Sequence, residues 1–329
     1  MKLLIILWKF SRPHTIVGSV ISICTLYLIV YSKHQILDIP LLIMALIIGI
    51  CCNIFIVGLN QIADVDIDKI NKPNLPIPSG VLQVHQAKII VYSASGISLA
   101  VALFISPYLF LIIAMATFIG WAYSMPPFHL KKHHLTAAIA IATVRGILLN
   151  AGGFMMYNYL INDSLEMPVN VIILTIFIIM FSIVIAWFKD LPDMEGDAKY
   201  NIKSLAILYT PKITLILGHL MVGAAYLFTI YMKYIDFSLS KIPSFQTKVL
   251  YYGQIVLFIL FIGNAFSIKL NQHQSLKIFY KRFWWFFFAE YLLYLMAYIS
   301  IDKYLHTASL LFHLHLASNF LICLWHNIG

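Results

Sequence analysis

Nine apolar segments, each close in length to a membrane-spanning helix, follow one another along the 329 residues of this chain. They lie near residues 14–32, 40–62, 87–105, 107–124, 135–157, 168–188, 211–232, 249–268 and 284–301. About 20 apolar residues in helical form cross the hydrocarbon core of a bilayer, where only helices and closed barrels satisfy their own backbone hydrogen bonds. The sequence therefore predicts an all-α integral membrane protein, a bundle of nine transmembrane helices.

The charged residues agree with this prediction and indicate an orientation. Only 11% of the residues are charged, against about 25% in soluble domains. With a cytoplasmic N-terminus, the N-terminal stretch and the even-numbered loops carry sixteen of the 22 lysines and arginines. Because cytoplasmic loops collect basic residues and face anionic lipid, we interpret the net charge of +9 as contact with membrane lipid and not with nucleic acid.

The C-terminal extension, residues 302–329, fits two arrangements. Its apolar stretch 304–326 is long enough for a tenth membrane helix, yet it carries four histidines, which favour a helix lying in the membrane interface. Both arrangements stay open, and residues 1–301 are taken as the transmembrane domain.

Most acidic residues fall in two short clusters, one after the second span and one after the sixth. Seven of the 13 acidic residues are in these clusters, namely Asp64, Asp66, Asp68, Asp190, Asp193, Glu195 and Asp197. A carboxylate beside hydrocarbon is costly, so such residues point to a function. Because both clusters follow even-numbered spans, we expect them on the cytoplasmic side, with a site between them.

The spacing in the first cluster places three oxygen-bearing side chains on one helix face. Residues three or four positions apart share a face of a helix. Asn60, Asp64 and Asp68 are spaced by four and form a column, while Asp66 points away. This column predicts a set of ligands for one cation.

The second cluster repeats the pattern. Asp190, Asp193 and Asp197 are spaced by three and four and form another column, while the remaining acidic residue points away. Pro192 and Gly196 are expected to loosen the helix there. The two clusters thus resemble each other in the ligands that they offer.

Two facing columns of oxygen ligands would repel each other without a cation. Mg²⁺ prefers oxygen ligands and is usually held by a few carboxylates together with substrate phosphates. The columns therefore predict a Mg²⁺ site. The alternative is that the carboxylates only pair with neighbouring lysines, namely Lys69, Lys72, Lys189 and Lys199.

Basic and aromatic residues near the clusters are candidate substrate ligands. Lys72, Lys131 and Lys189 offer mobile point charges. Arg145 lies inside an apolar span, where it must face a polar cavity, an anion or an acidic neighbour. A substrate carboxylate or diphosphate fits it, and so does a structural pair with an aspartate. The proline pair after the fourth span ends the helix and is expected to place Tyr123 and Lys131 on the same side of the membrane as the carboxylates.

Together these stretches resemble a known family. "NQIADVDID" at 60–68, "NKPNLPIPSG", "YSMPPFHLKK" and "KDLPDMEGD" resemble the UbiA-type intramembrane aromatic prenyltransferases, over about residues 8–300. "LWKFSRPHTIVGS", "VRGILLNAGGF" and "KDLPDMEGDAKYNIKSLAI" resemble the homogentisate prenyltransferase branch. One position departs from the common pattern, because Gln61 stands where many members carry an acidic residue. Glutamine is usual there in the homogentisate branch.

The resemblance implies a fold and a site. The fold is a bundle of nine helices around a central cavity that opens laterally to lipid and is capped on the cytoplasmic side. The six ligands of the two implied Mg²⁺–diphosphate motifs are Asn60, Asp64, Asp68, Asp190, Asp193 and Asp197. Basic contacts to the diphosphate fall at Lys72 and Lys131. The residues expected to be essential for catalysis are Asp64, Asp68, Asp193 and Asp197.

The implied reaction is the Mg²⁺-dependent transfer of a polyprenyl group (phytyl, geranylgeranyl or longer) from its diphosphate to a small aromatic acceptor. The branch implies homogentisate with loss of CO₂, as in the formation of tocopherol and plastoquinone precursors. Other acceptors stay open: 4-hydroxybenzoate, a naphthoate, a chlorophyllide or a glyceryl phosphate. A different class, a divalent-cation transporter, would favour carboxylates at mid-membrane, whereas these lie at span ends beside lysines.

Overall fold

Long helices make up nearly all of the computed structural model, which describes residues 2–268, 270 and 272–298. In chain order the helices are α1 (Lys2–Phe10), α2 (Pro13–His34), α3 (Ile39–Ala63), α4 (Val65–Asn71), α5 (Val84–Ile105), α6 (Pro107–Ser124), α7 (His134–Ala142), α8 (Gly153–Asn162), α9 (Val169–Lys189), α10 (Met194–Lys199), α11 (Leu205–Leu208), α12 (Pro211–Leu239), α13 (Phe245–Ala265) and α14 (His273–Tyr298). A π-helical segment, Thr143–Gly152, joins α7 and α8 into one continuous span.

Eight helical stretches in the described part of the chain are long and apolar enough to cross a membrane. They are α2, α3, α5, α6, the stretch from α7 to α8, α9, α12 and α13. Each overlaps one predicted span, so the prediction of an all-α membrane protein is confirmed.

The ninth predicted span, 284–301, overlaps α14, which begins earlier, at His273. Its first turns carry Lys277, Lys281 and Arg282, so a stretch that the sequence assigns to a loop is helical. Residues 299–329, and with them the question of a tenth helix, lie outside the described residues.

Proline and small polar residues mark the starts of the helices. Proline occupies the first turn of α2, α3, α6 and α12, where a missing N–H removes no helical hydrogen bond. The side-chain oxygens of Asp38, Ser106, Thr210 and Ser244 accept hydrogen bonds from first-turn amides of α3, α6, α12 and α13. Such N-caps satisfy amides that have no partner inside the helix.

Aromatic side chains fill the space between α9, α12 and α14. The ring of Phe181 stacks on that of Phe283 with their centroids 4.3 Å apart, and Phe177 meets Tyr226 edge to face at 4.8 Å. Pairs of this kind contribute about 0.5–1.5 kcal/mol beyond the area that they bury. Because helices in lipid gain little from moving apolar surface into a protein interface, such packing fixes the relative positions of the helices.

A second apolar cluster fastens α1 to the bundle. Phe10, only 1% exposed, packs with Phe55 and Leu59 of α3 and with Val91 of α5. Gly58 permits this approach, because a Cβ atom there would lie 2.7 Å from the Phe10 ring and 2.6 Å from Val91. The end of α1 is therefore held beside the part of α3 that leads into α4.

The short helices α4 and α10 meet at one end of the bundle. α4 follows α3, α10 follows α9, and the two short helices contact each other. The two acidic clusters, far apart in the chain, are thus brought together on one side of the bundle, where the parity of the spans predicts them.

Candidate active site

The first acidic cluster spans a break between two helices. α3 and α4 meet at Asp64, whose φ of −104° and ψ of 16° interrupt the helix. The Asp64 amide still donates to the Asn60 carbonyl (3.0 Å), and the Asp68 amide donates to the Asp64 carbonyl (2.7 Å), so the spacing of four survives. The Asn60 Nδ2 donates to Asp64 Oδ2 at 2.9 Å. Asp66 is exposed and pairs with Lys69 at 2.8 Å, pointing away as the spacing predicts.

The second cluster begins on the turn that follows α9 and continues into α10. Asp190, Asp193 and Asp197 are buried, whereas the remaining carboxylate of the cluster is exposed. The helix breaks in the turn that contains Pro192, as expected. Gly196, in contrast, lies inside α10, so the expectation that it loosens the helix is wrong.

Gly196 is instead the contact point between the two clusters. Its amide donates to Asn71 Oδ1 at 2.9 Å, and Asn71 Nδ2 donates to Asp197 Oδ1 at 3.4 Å. A Cβ atom at position 196 would lie 2.6 Å from the Asn71 amide group. Sequence reasoning missed Asn71. The only sign of this contact in the sequence was the glycine among the acidic residues of the second cluster, because a glycine often marks the close approach of another group to the backbone.

Lys72 bridges the two clusters. Its Nζ contacts Asp193 and lies 3.6 Å from Asp68 Oδ1. On the other side of Asp68, Arg12 Nη2 lies 3.9 Å from Oδ2. Lys72 thus takes the position between the columns that a cation is expected to fill.

Two further lysines reach into the same space. Lys131, from the loop after α6, is buried and contacts Asp64. Lys189, at the end of α9, pairs with Asp190 at 2.8 Å. The carboxylates do pair with lysines, as the alternative interpretation holds. The Asp66–Lys69 pair is exposed, whereas the pairs made by Lys72, Lys131 and Lys189 line a cavity.

That cavity has a volume of about 570 Å³ and is strongly charged; it is named here the polar cavity. Its five carboxylates are Asp64, Asp68, Asp190, Asp193 and Asp197. Its seven basic side chains are Lys9, Arg12, Lys72, Lys131, Lys189, Lys277 and Lys281. The excess of positive charge suits a polyanion, and lysines and arginines are the usual ligands of phosphate.

A second cavity of about 240 Å³, named here the apolar cavity, continues the first into the bundle. Its walls are mainly aliphatic side chains of α2, α3, α6, α9 and the span from α7 to α8. Both cavities are lined by Arg12, His14, Asn60, Tyr123, Lys189 and Tyr280. The two cavities therefore share a boundary, at which Lys189 Nζ lies 5.8 Å from the Tyr123 ring centroid.

Burial raises the pKa of the carboxyl groups of Asp68, Asp190 and Asp197, that of Asp197 to about 7. Neighbouring carboxylates raise these pKa values further. Lys72 and Arg12 lower the pKa of Asp68, and Lys189 and Lys72 lower those of Asp190 and Asp197. Within the described residues, Asp68 Oδ2 is buried and receives no hydrogen bond. The carboxyl groups thus lack part of the positive charge that would keep them ionised.

The present side-chain arrangement does not itself form a metal cage. Among the residues that the structure describes, no group of three carboxylate, histidine or cysteine side chains is placed to hold a metal ion. Lysine ammonium groups contact the carboxylates instead. The assignment of these residues as metal ligands is therefore a proposal about the loaded site.

Arg145 lies in the π-helical segment and lines the apolar cavity. Its guanidinium carbon lies 4.9 Å from the ring centroid of Trp284 and 5.6 Å from that of Phe287. No ion pair joins it to a carboxylate within the described part of the chain. Of the two expectations for Arg145, the structural pair with an aspartate is thus not found.

Asn150 holds the π-helical segment against its neighbours, and sequence reasoning missed it. The buried Asn150 donates to Thr175 Oγ1 of α9 at 2.6 Å and accepts from the Tyr291 hydroxyl of α14 at 2.8 Å. π-helical turns are rare and often lie at functional sites. Here the segment carries Arg145 to the cavity wall.

The sequence of this chain is similar to those of known proteins over most of its length. The sequence model of the UbiA prenyltransferase family matches residues 21–288. Homogentisate phytyltransferase of Synechocystis sp. is 36% identical over 88% of this chain and 94% of its own length. Homogentisate solanesyltransferase of Arabidopsis thaliana is 32% identical over 87% of this chain and 75% of its own. Homogentisate geranylgeranyltransferase of Hordeum vulgare is 31% identical over 87% and 71%.

Solved structures show the same fold. A digeranylgeranylglyceryl phosphate synthase superposes with a TM-score of 0.61 at 23% identity, covering 91% of this chain and 99% of its own. A UbiA homologue from Archaeoglobus fulgidus, bound to GPP and Mg²⁺, superposes with a TM-score of 0.60 at 18% identity, covering 87% and 99%. At these identities the likeness establishes the fold of the bundle.

Proposed function

This chain belongs to the UbiA prenyltransferase family, and we propose that it transfers a polyprenyl group from a prenyl diphosphate to homogentisate, with loss of CO₂. One observation carries this proposal: a charged cavity and an apolar cavity share a boundary inside the bundle. A prenyl diphosphate has the matching parts, a polyanionic head and a hydrocarbon chain. The relatives named for transfer to homogentisate support the acceptor.

Mg²⁺ is the metal ion that the side chains around the polar cavity fit. The proposed ligands are Asn60, Asp64, Asp68, Asp190, Asp193 and Asp197, which offer only oxygen atoms in the manner that Mg²⁺ prefers. Asp68 Oδ2 is buried without a hydrogen bond, and burial raises the pKa values of Asp190 and Asp197, so these oxygen atoms suit a cation as a further ligand partner. Bound Mg²⁺ would stabilise the negative charge that develops on the leaving diphosphate.

Lysines hold the diphosphate in this proposal. Lys72, Lys131 and Lys189 now contact carboxylates of the two clusters. Because a lysine is a flexible point charge, each can turn from its carboxylate to a phosphate oxygen when the metal and the substrate enter. Their charges then favour cleavage of the allylic C–O bond, whose electron pair leaves with the diphosphate.

The apolar cavity protects the allylic cation that this cleavage forms. Its aliphatic walls exclude water, which would otherwise trap the cation as an alcohol. The ring of Tyr123 lies where the two cavities meet, and an aromatic face stabilises a nearby cation. Tyr123 is therefore proposed to lie beside the reacting carbon of the prenyl chain.

Arg145 is proposed to bind the carboxylate of the acceptor. A guanidinium in an apolar cavity favours an anionic ligand, and the described residues offer it no carboxylate. In the reaction a ring carbon bonds to the prenyl cation, and loss of the ring proton restores aromaticity. The side-chain carboxylate leaves as CO₂, and the methylene carbon that it leaves takes up a proton to become a methyl group.

The test is an assay of purified protein in nanodiscs with Mg²⁺. It supplies phytyl or geranylgeranyl diphosphate and a panel of acceptors, namely homogentisate, 4-hydroxybenzoate, a naphthoate, a chlorophyllide and a glyceryl phosphate, with products identified by mass. We expect a prenylated ring from homogentisate that has lost the mass of CO₂. Product from another acceptor only would support prenyltransferase activity and refute homogentisate as the acceptor.

Methylhydroquinone is the matched control for the acceptor carboxylate. It keeps the ring and both hydroxyl groups of homogentisate but has a methyl group in place of the acetate. If Arg145 binds the carboxylate, methylhydroquinone is the poorer acceptor by about tenfold or more, as expected when a charged partner is left unpaired. Equal kcat/KM values for the two acceptors would refute this role of Arg145.

A further inference from the structure

Gln61 follows Asn60 in the first acidic cluster, yet it turns away from the polar cavity. It is 0% exposed and lines neither cavity. Its Nε2 donates a hydrogen bond to the carbonyl oxygen of Phe10 at 2.5 Å. Because a carbonyl oxygen only accepts, this bond requires an amide donor, and an ionised carboxylate at position 61 could not form it.

The Phe10 carbonyl lies at the start of the tight turn that joins α1 to α2. At the next residue, the Ser11 carbonyl accepts from Asn53 Nδ2 at 3.4 Å, and the same Nδ2 bonds Thr15 Oγ1 at 3.0 Å. Arg12 has a φ of 52°, in the left-handed region. This conformation costs a non-glycine residue on the order of 1 kcal/mol or more and persists where neighbouring contacts hold it.

The last turn of α1 and the turn that follows it bring two cations to the polar cavity. Lys9 and Arg12 both line that cavity, and Arg12 Nη2 lies 3.9 Å from Asp68 Oδ2. Arg12 also lines the apolar cavity, so its side chain lies at the boundary between the two. The conformation of the turn therefore decides whether a guanidinium stands at the place where a diphosphate head would meet its chain.

We propose that Gln61 is a positioning residue for the diphosphate site. By binding the Phe10 carbonyl, Gln61 holds the turn between α1 and α2 in the conformation that presents Arg12 to the diphosphate. Gln61 does not touch the substrate and acts through Arg12. This inference rests on the proposed function in one respect, because the diphosphate is the ligand named there.

Kinetics of Gln61→Met test the inference, because methionine keeps the size of the side chain and removes the donor. We expect the KM for the prenyl diphosphate to rise by roughly five- to tenfold, as for the loss of one hydrogen bond. The kcat and the KM for the acceptor stay within about twofold. A fall in kcat with an unchanged KM for the diphosphate would overturn the inference.

A double-mutant cycle distinguishes positioning from general destabilisation. If Gln61 acts through Arg12, then Arg12→Gln raises the same KM, and the combined variant has a KM no higher than that of Arg12→Gln. Additive effects would overturn the inference. Gln254→Met is the matched control, because Gln254 is also fully buried, donates to Glu290 and lies away from both cavities. This control is expected to leave the KM for the diphosphate unchanged.

Hydrogen exchange tests the same contact without turnover. In substrate-free protein, Gln61→Met is expected to speed amide exchange in residues 2–15 and to leave α9 and α12 unchanged. Faster exchange supports the positioning of the turn even if the assay refutes homogentisate as the acceptor. Unchanged exchange in this stretch would overturn the inference while leaving the proposed function intact.

Discussion

Asp64 and Asp66 are two positions apart in the chain, yet Asp64 lines the polar cavity and Asp66 faces solvent. The cause is local, because residues two apart on a helix point to different sides while residues four apart share one. Asp68 therefore joins Asp64 inside the cavity. The segment thus contains both a candidate ligand set and its own control.

These neighbours give a matched pair of variants. We expect Asp64→Ala and Asp193→Ala to lower kcat/KM by at least about a hundredfold, since each removes a charge proposed to act on the leaving diphosphate. Asp66→Ala is expected to keep kcat/KM within about twofold, because an exposed ion pair contributes little. The measurement is initial rate at saturating Mg²⁺. Near-normal activity of Asp64→Ala would refute the proposed metal site.

The contact between Gly196 and Asn71 predicts that a larger residue at position 196 disturbs the site. Gly196→Ala forces a Cβ atom against the Asn71 amide and is expected to cost about 1–3 kcal/mol of local overpacking. The expected readout is a higher Mg²⁺ concentration for half-maximal activity, because α10 carries Asp197.

Removing the clash partner tests this reason. In Gly196→Ala combined with Asn71→Ala, the Mg²⁺ requirement is expected to match that of Asn71→Ala by itself. Gly96→Ala is the control, because Gly96 is a helical glycine with open space around its Cβ position. If the effects of Gly196→Ala and Asn71→Ala on the Mg²⁺ concentration for half-maximal activity are additive in the combined variant, the steric explanation is wrong.

At the scale of elements, the π-helical segment decides which side chains of its span face the cavity. Each π turn holds more residues than an α turn, so residues after the segment are rotated relative to a regular helix. Asn150 anchors the segment between α9 and α14 through Thr175 and Tyr291. Arg145 is carried on the same segment.

Asn150→Leu is expected to weaken that anchor. The change keeps the branched shape of the side chain but leaves two buried hydroxyl groups without this partner. Interhelical hydrogen bonds of this kind are worth about 0.6–1.7 kcal/mol each in membranes. We expect a lower thermal midpoint in detergent and a higher KM for the acceptor, with the KM for the diphosphate changed less. Equal changes in both KM values would show that the segment does not act through the wall that carries Arg145.

At the scale of the whole molecule, the count of lysines and arginines predicts that the polar cavity faces the cytoplasm. Ser79, which follows α4, lies at the cavity end of the bundle, and Ser240, which follows α12, lies at the other end. Both side chains are exposed. They provide two reporters of orientation.

Single cysteines at these positions, in a background free of the native cysteines, test the orientation. A membrane-impermeant thiol reagent is expected to label Ser240→Cys in intact cells and Ser79→Cys only after the membrane is permeabilised. Prenyl transfer by each variant serves as the control for folding. Labelling of Ser79→Cys in intact cells would reverse the proposed orientation.

The sequence by itself determined the fold class, the places of most spans and the two columns of carboxylates. These properties are local, because a run of apolar residues sets a span and a spacing of three or four sets a helix face. The start of α14 was placed wrongly, since its basic first turns have the composition of a loop.

Only the tertiary structure decided how the distant parts meet. The contact of Gly196 with Asn71, the bridge of Lys72 to Asp193 and the bond of Gln61 to Phe10 each join residues that no local pattern relates. Arg145 gained its aromatic neighbours only through the packing of α14. Such contacts depend on how neighbouring helices pack, and helix packing in lipid is set by shape and by interhelical hydrogen bonds.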